Sequence, residues 1–233
     1  MKAGSSGSTL VLFTVLLAGV SACSGTDPDP AEAIGKEESD QYMWSFVHTT
    51  ELDELALCDF LGATNRMFGT SNDDLITGTP GADCILARGG QDTVNGGGGN
   101  DVIFGHGGDD TLTGGESDDQ LFGGPGQDRL FGNNGFDRLN GEDGDDRMFG
   151  GEGSDFILGG NGNDQGFGEG GDEDSVDGGP GDDLSSGGPG NDIVGDCDGH
   201  DRIDGGSGAS DICDFTPIDD QAVGCENSFP CAT

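Results

Sequence analysis

Aspartate returns along this chain at nearly constant intervals, and that spacing is its first sign of chemistry. One in-phase series runs Asp73, Asp83, Asp92, Asp101, Asp110, Asp119, Asp128, Asp137, Asp146, Asp155, Asp164, Asp174, Asp183, Asp192, Asp201 and Asp211. Nine consecutive intervals, from Asp83 to Asp164, are nine residues long. Elsewhere the series needs single-residue insertions at Pro80, Glu173 and Ser210. Carboxylates supply hard oxygen ligands. Repeated along a surface, they suit Ca2+, with its high and flexible coordination, better than Mg2+, which demands a tight octahedron.

The residues between these aspartates specify the elements that position them. From Gly96 the chain reads GGGGNDVIF, GHGGDDTLT, GGESDDQLF, GGPGQDRLF, GNNGFDRLN, GEDGDDRMF and GGEGSDFIL. The pattern is G-G-x-G-x-D-x-U-x, where U is apolar. Glycine at the fourth place lets the backbone turn tightly through positive φ; Ser71 and Ser117 depart from it. The x-U-x triplet reads as a short strand whose middle residue points inward and whose neighbours point outward. Those inward positions are Leu75, Ile85, Val94, Ile103, Leu112, Leu121, Leu130, Leu139, Met148, Ile157, Val176, Val194 and Ile203, with Gly166 and Ser185 as failures and Cys213 at the end.

Two nonapeptides make one coil, so residues 18 apart stack about 4.8 Å apart in a parallel sheet. One turn edge then carries Asp73, Asp92, Asp110, Asp128, Asp146, Asp164, Asp183 and Asp201, and the other carries the rest of the series. Like charges about 5 Å apart repel by roughly 3 kcal/mol at an effective dielectric near 20. A thin core, one apolar side chain per nine residues, does not offset two such rows. A cation between successive carboxylates does.

Over residues 68–214 the chain resembles the RTX, or haemolysin-type, calcium-binding repeat family. The resemblance implies an all-β fold: a parallel β-roll (a β-helix or solenoid) of about eight 18-residue coils, with small N- and C-terminal caps. It also implies multiple Ca2+ ions, each held by the Asp carboxylates and turn carbonyls of adjacent coils. The block from Asp92 to Asp164 fits the family best. Gly166–Ser186, Asp73 and Asp211 fit it less well.

Composition agrees with a cation-dependent fold. The chain has 49 Gly, 46 acidic residues, 8 basic residues and a formal charge of −38. Such a balance excludes nucleic-acid binding, which needs a basic footprint. Hydrophobic residues reach only 31%, which excludes a conventional large core and would read as disorder if nothing neutralised the charge.

The N-terminus reads as an export signal over residues 1–22. Lys2 precedes an apolar run, Leu10 to Ala18, too short for a membrane span. Val20-Ser21-Ala22-Cys23 resembles the bacterial lipobox, which makes Cys23 the lipidation site, the alternative being ordinary cleavage and a plain thiol. Ser24 after the Cys favours an outer-membrane lipoprotein on the periplasmic or cell-surface side. Removing Lys2 leaves 7 basic against 46 acidic residues, a charge of −39. Six Cys remain, an even number in an oxidising compartment. Of fifteen pairings, Cys58–Cys84 and Cys213–Cys225 are favoured because they lie at the two ends of the ordered region, which leaves Cys197–Cys231 by elimination. Zinc needs CxxC or Cys/His clusters, and the sequence has none.

Residues 23–40 read as a flexible tether, 41–67 as an N-terminal cap, 68–214 as the roll and 215–233 as a C-terminal cap or tail. Within the first cap, Thr50-Glu51-Leu52-Asp53 resembles a capping box that opens a helix through Leu61. His106 and His200 fall in repeat turns and read as solvated. The ninth positions place Phe131, Phe149 and Phe167, with Arg129 and Arg147 nearby, on one outer face; Leu86, Phe104, Phe122 and Leu158 lie on the other. These are either ladders between neighbouring strands or an apolar stripe for a partner. HExxH, GxSxG and GxxxxGK[ST] are absent. The expectation is an exported, lipid-anchored, non-catalytic Ca2+-binding module whose folding is coupled to the ion. The alternative is a surface adhesion or matrix protein that uses the roll as a spacer. A protein or matrix partner stays open.

Overall fold

The computed structural model describes residues 51–196, 199–215 and 221–230. The export signal, Cys23, the tether and the pair Cys197–Cys231 lie outside the described residues. The chain winds as a parallel β-roll of about nine turns, alternating between two sheets. The odd sheet contains β1 (Asn65–Phe68), β3 (Asp83–Leu86), β5 (Val102–Phe104), β7 (Gln120–Pro125), β9 (Arg138–Asp143), β11 (Phe156–Asn161), β13 (Ser175–Asp177), β15 (Ile193–Asp196), β17 (Ile212–Phe215) and β19 (Asn227–Pro230). The even sheet contains β2 (Leu75–Thr77), β4 (Thr93–Gly98), β6 (Thr111–Glu116), β8 (Arg129–Asn134), β10 (Arg147–Glu152), β12 (Gln165–Gly170), β14 (Leu184–Pro189), β16 (Arg202–Ser207) and β18 (Gln221–Val223).

Neighbouring strands pair in parallel, and in the regular coils the register is 18 residues, as in Leu112↔Leu130 and Leu121↔Leu139. It lengthens to 19 at Phe156↔Ser175 and Gln165↔Leu184, where Glu173 is inserted, and at Ile193↔Ile212, where Ser210 is. These two insertions stand. The one at Pro80 does not, because Asn65↔Asp83 and Leu75↔Thr93 are both 18 apart. The repeat around Asp73 is shifted by one residue from its expected phase. Ile76, not Leu75, pairs with Val94 and packs on the core, while Leu75 is 81% exposed. Inward burial decided that register.

The core is a single file of side chains from each sheet, with Val94, Leu112, Leu130 and Met148 facing Ile103, Leu121, Leu139 and Ile157. Gly166 and Ser185 follow Met148 in the even sheet's inward column. The odd sheet fills the space they leave. A Cβ on Gly166 would stand 2.8 Å from Val176 Cγ1 and 3.3 Å from Ile157 Cγ2.

Helix α1 (Glu51–Leu61) begins where the capping box placed it and ends at Gly62, whose φ is +84°. Gly62 N donates to Asp59 O and Ala63 N to Cys58 O, the paired bonds of a Schellman end. The helix lies along the outer face of the odd sheet. Cys58, Leu55, Leu57 and Leu61 pack on Leu86, Val102, Phe104 and Phe122, and the Cys58–Cys84 disulfide fixes the contact. Cys213–Cys225 forms as well. The parallel ladder extends past the expected roll at both ends: β1 starts at Asn65, and β18 and β19 lie in the stretch read as a tail.

Candidate metal centre

Each coil contributes one aspartate to each turn edge, at the step into the following strand. The backbone N–H of one row Asp donates to Oδ1 of its counterpart in the next coil. This link runs Asp74→Asp92→Asp110→Asp128→Asp146→Asp164→Asp183→Asp201 on the even edge, at 2.6–3.0 Å. On the odd edge it runs Asp83→Asp101→Asp119→Asp137→Asp155→Asp174→Asp192→Asp211, at 2.7–3.1 Å. Row residues from Asp83 to Asp211 are at least nine-tenths buried.

The second oxygen is differently placed. From Asp92 to Asp211, Oδ2 of each row Asp other than Asp201 is buried without a hydrogen-bond partner. An ionised carboxylate has about four acceptor sites, and a buried one left unfilled is costly. Except at Asp92, whose turn begins with Ala87, these oxygens point at the first glycine of their own turn. A Cβ on Gly105 would stand 2.5 Å from Asp110 Oδ2 and 2.6 Å from the carbonyl oxygen of Gly123 in the next coil. Glycine is therefore required there because oxygens occupy the space. Carboxylate and carbonyl oxygens converging beside a bare Cα form an all-oxygen cradle, and that donor set fits Ca2+. The row carboxylates would hold the ion together with the turn carbonyls.

The proton is the competing ligand. Burial, opposed by the backbone N–H bond and reinforced by neighbouring carboxylates, pushes Asp119 and Asp128 up to about 8. Burial likewise raises Asp101, Asp155, Asp164 and Asp174 to about 7, and Asp110, Asp137 and Asp146 to about 6.

Fifteen of the sixteen expected aspartates thus take the row positions. Asp73 does not: it is exposed, and Asp74 stands in the row. Asp73 Oδ1 instead accepts Gln91 N–H at 2.8 Å from the turn surface, a place that Asp109 takes toward Gln127. The expected weaker fit of Gly166–Ser186 concerns the core more than the row, for Asp174 and Asp183 keep their places. Sequence reasoning missed three further residues. The Asn65 side chain donates to Asp83 Oδ1 and heads the odd row, and Glu226 Oε2 accepts Asp211 N–H at 2.9 Å and closes it. Asn65 was detectable, since it lies 18 residues before Asp83, as Met67 does before Ile85. The third is Asp196, in the turn slot that Gly105 and Gly123 occupy elsewhere. It lies five residues before Asp201 and is 1% exposed. Burial, then the charges of Asp183 and Asp201, pushes it up to about 10.

His200 is exposed, as expected, and sits 3.4 Å from Asp182. His106 is not solvated as expected: its Nε2 lies 3.0 Å from Oε1 of Glu54, which α1 carries onto the roll. The outer phenylalanines divide. Phe131, Phe149 and Phe167 form a half-buried ladder with centroids 5.2 Å apart, whereas Phe104 and Phe122 stack at 4.9 Å beneath α1.

A comparison with curated proteins gives no match. The profile of the RTX calcium-binding nonapeptide repeat (4 copies) matches in overlapping segments, 62–94, 95–130, 122–157, 131–166 and 158–194, which together cover more than half of the chain. With its 18-residue coils and its two rows of turn aspartates, the chain belongs to the RTX calcium-binding nonapeptide repeat family.

Proposed function

We propose that this is an exported, lipid-anchored and non-catalytic protein whose roll folds when Ca2+ fills both turn edges. The observation that carries the reading is the pair of rows of buried Asp Oδ2 atoms without hydrogen-bond donors. An isolated buried carboxylate is strongly disfavoured, and these stand in stacked lines. Metal binding and folding are then one process. The aspartates of both rows, with Asp74 in place of Asp73, are the side-chain ligands. Cys23 bears the lipid and anchors the roll to the outer membrane, on its periplasmic or cell-surface side.

Calorimetric titration of EDTA-treated protein with CaCl2 tests the binding. The expected result is several ions per chain with little competition from Mg2+. No uptake of Ca2+ refutes the proposal. For the anchor, intact-mass measurement of membrane-extracted protein should find acyl chains on Cys23. A Cys23→Ser variant should leave the membrane fraction, and one that stays there contradicts the anchor.

A further inference from the structure

In most turns the slot five residues before the row Asp is a glycine, because Oδ2 of that Asp lies where a Cβ would be; Ala87, before Asp92, is a small exception. Asp196 places a carboxylate in the same slot. It ends β15, five residues before Asp201. Its carboxylate turns back toward the preceding coil. A Cβ on Gly178 there would overlap Asp196 Oδ2 and would stand 2.7 Å from Asp183 Oδ2. Two carboxylate oxygens from different coils thus converge on one point beside the Gly178 backbone.

Asp183 is aimed into this point. It is 4% exposed, its Oδ1 accepts Asp164 N–H at 2.6 Å, and its Oδ2 receives no N–H or hydroxyl donor; the Asp196 carboxyl lies beside it, close enough to hydrogen-bond when one of the pair is protonated. Asp201 completes the set. Its Oδ1 accepts Asp183 N–H at 3.0 Å, which ties the two coils together at the same place. One oxygen from each of the three residues lies within 4.8 Å of the others, and all three residues are buried. Among the described residues this is the one group of three such side chains close enough to hold a single metal ion.

We propose that Asp183, Asp196 and Asp201 form a three-carboxylate Ca2+ site, distinct from the regular two-carboxylate sites of the rows and the tightest in the chain. This rests on the Ca2+ reading of the rows and assigns one turn a special rank. Affinity of oxygen-ligand sites for Ca2+ rises with the number of charged ligands and with site rigidity. Asp196 adds a charge, and the Asp164–Asp183–Asp201 hydrogen-bond chain holds the site rigid. The location has a structural consequence. The coils from β12 to β16 contain Gly166 and Ser185 in the core file, so an ion here pins coils in which two inward apolar side chains are missing.

Equilibrium dialysis against Ca2+ separates this site from the others. Wild type is compared with Asp196→Gly, which restores the repeat residue and creates no clash, and with Asp196→Asn, which keeps the size and removes the charge. Circular dichroism in saturating Ca2+ verifies that both variants fold. Both should lose the tightest class of ion, its affinity falling about tenfold or more, with the weaker classes unchanged. Retention of that class in either variant, or uniform weakening of every class in both, overturns the three-carboxylate site and leaves the Ca2+ reading of the rows intact. Absence of Ca2+ binding in wild type overturns both.

Discussion

The coils from Asp92 to Asp164 and those from Gly166 to Asp201 follow one plan with different balances of force. In the first block every inward position is a Val, Ile, Leu or Met, every coil has 18 residues, and each turn carries one row carboxylate. In the second block Glu173 lengthens a coil, Gly166 and Ser185 remove apolar bulk from the even sheet, and Asp196 crowds a third carboxylate into one turn. Apolar burial falls while buried charge rises. If the roll folds around its ions as proposed, the second block should depend more on its cations and the first more on its core. A roll of this kind tolerates a gap in the core file when the opposite sheet closes in, as Ile157 and Val176 do over Gly166.

The largest expected effect concerns protons in both blocks without metal. Burial raises the row aspartates from Asp92 to Asp192 above their ordinary value of 3.8, to about 8 at Asp119 and Asp128 in the first block and about 7 at Asp174 and Asp183 in the second. Between these values the folded chain holds more protons than the unfolded one, so stability falls as pH rises. It is greatest near and below pH 4 and is lost through about pH 8. EDTA-treated protein should therefore show more β-structure at pH 5 than at pH 8 by circular dichroism. Equal spectra contradict this.

Gly144→Ala comes next and strikes the first block. Gly144 has φ +146°, and an added Cβ would overlap the Gly126 carbonyl of the preceding coil. Both the backbone conformation and the space are wrong for a side chain, so denaturant unfolding in Ca2+ should register a loss on the order of 3 kcal/mol or more.

A matched pair sharpens the contrast between the core files. Met148→Ala empties a filled position and should cost about 2–5 kcal/mol. Ser185→Ala removes a fully buried hydroxyl that has no hydrogen-bond partner. It should be neutral or stabilising by up to about 1 kcal/mol. Equal losses in chemical denaturation would erase the distinction between the blocks. The smallest effect belongs to Phe149→Ser, in the middle of the half-buried ladder. Loss of two stacked contacts should cost about 1 kcal/mol, with no change in Ca2+ uptake.

Much of this was legible in the sequence because turn, ligand and core residue recur at fixed offsets and each confirms the others. Legibility failed where one offset was ambiguous. Asp73 and Asp74 are adjacent, as are Leu75 and Ile76, so the phase there is set by stacking against Val94 and Asp92 and by no local signal. The fate of the outer phenylalanines was equally hidden. Phe122 and Phe131 sit at the same repeat position, and only the docking of α1 buries one and leaves the other half-exposed. Asp196 was overlooked because its slot reads as a glycine position. A single acidic residue there means little until the preceding coil brings Asp183 against it.

Far-ultraviolet circular dichroism of the EDTA-treated protein at pH 7.5, titrated with Ca2+, bears most directly on the claim that the rows fold around their ions. The prediction is a spectrum of a largely unfolded chain that converts cooperatively to β-structure as Ca2+ is added. A metal-free spectrum already identical to the Ca2+-saturated one would contradict the account.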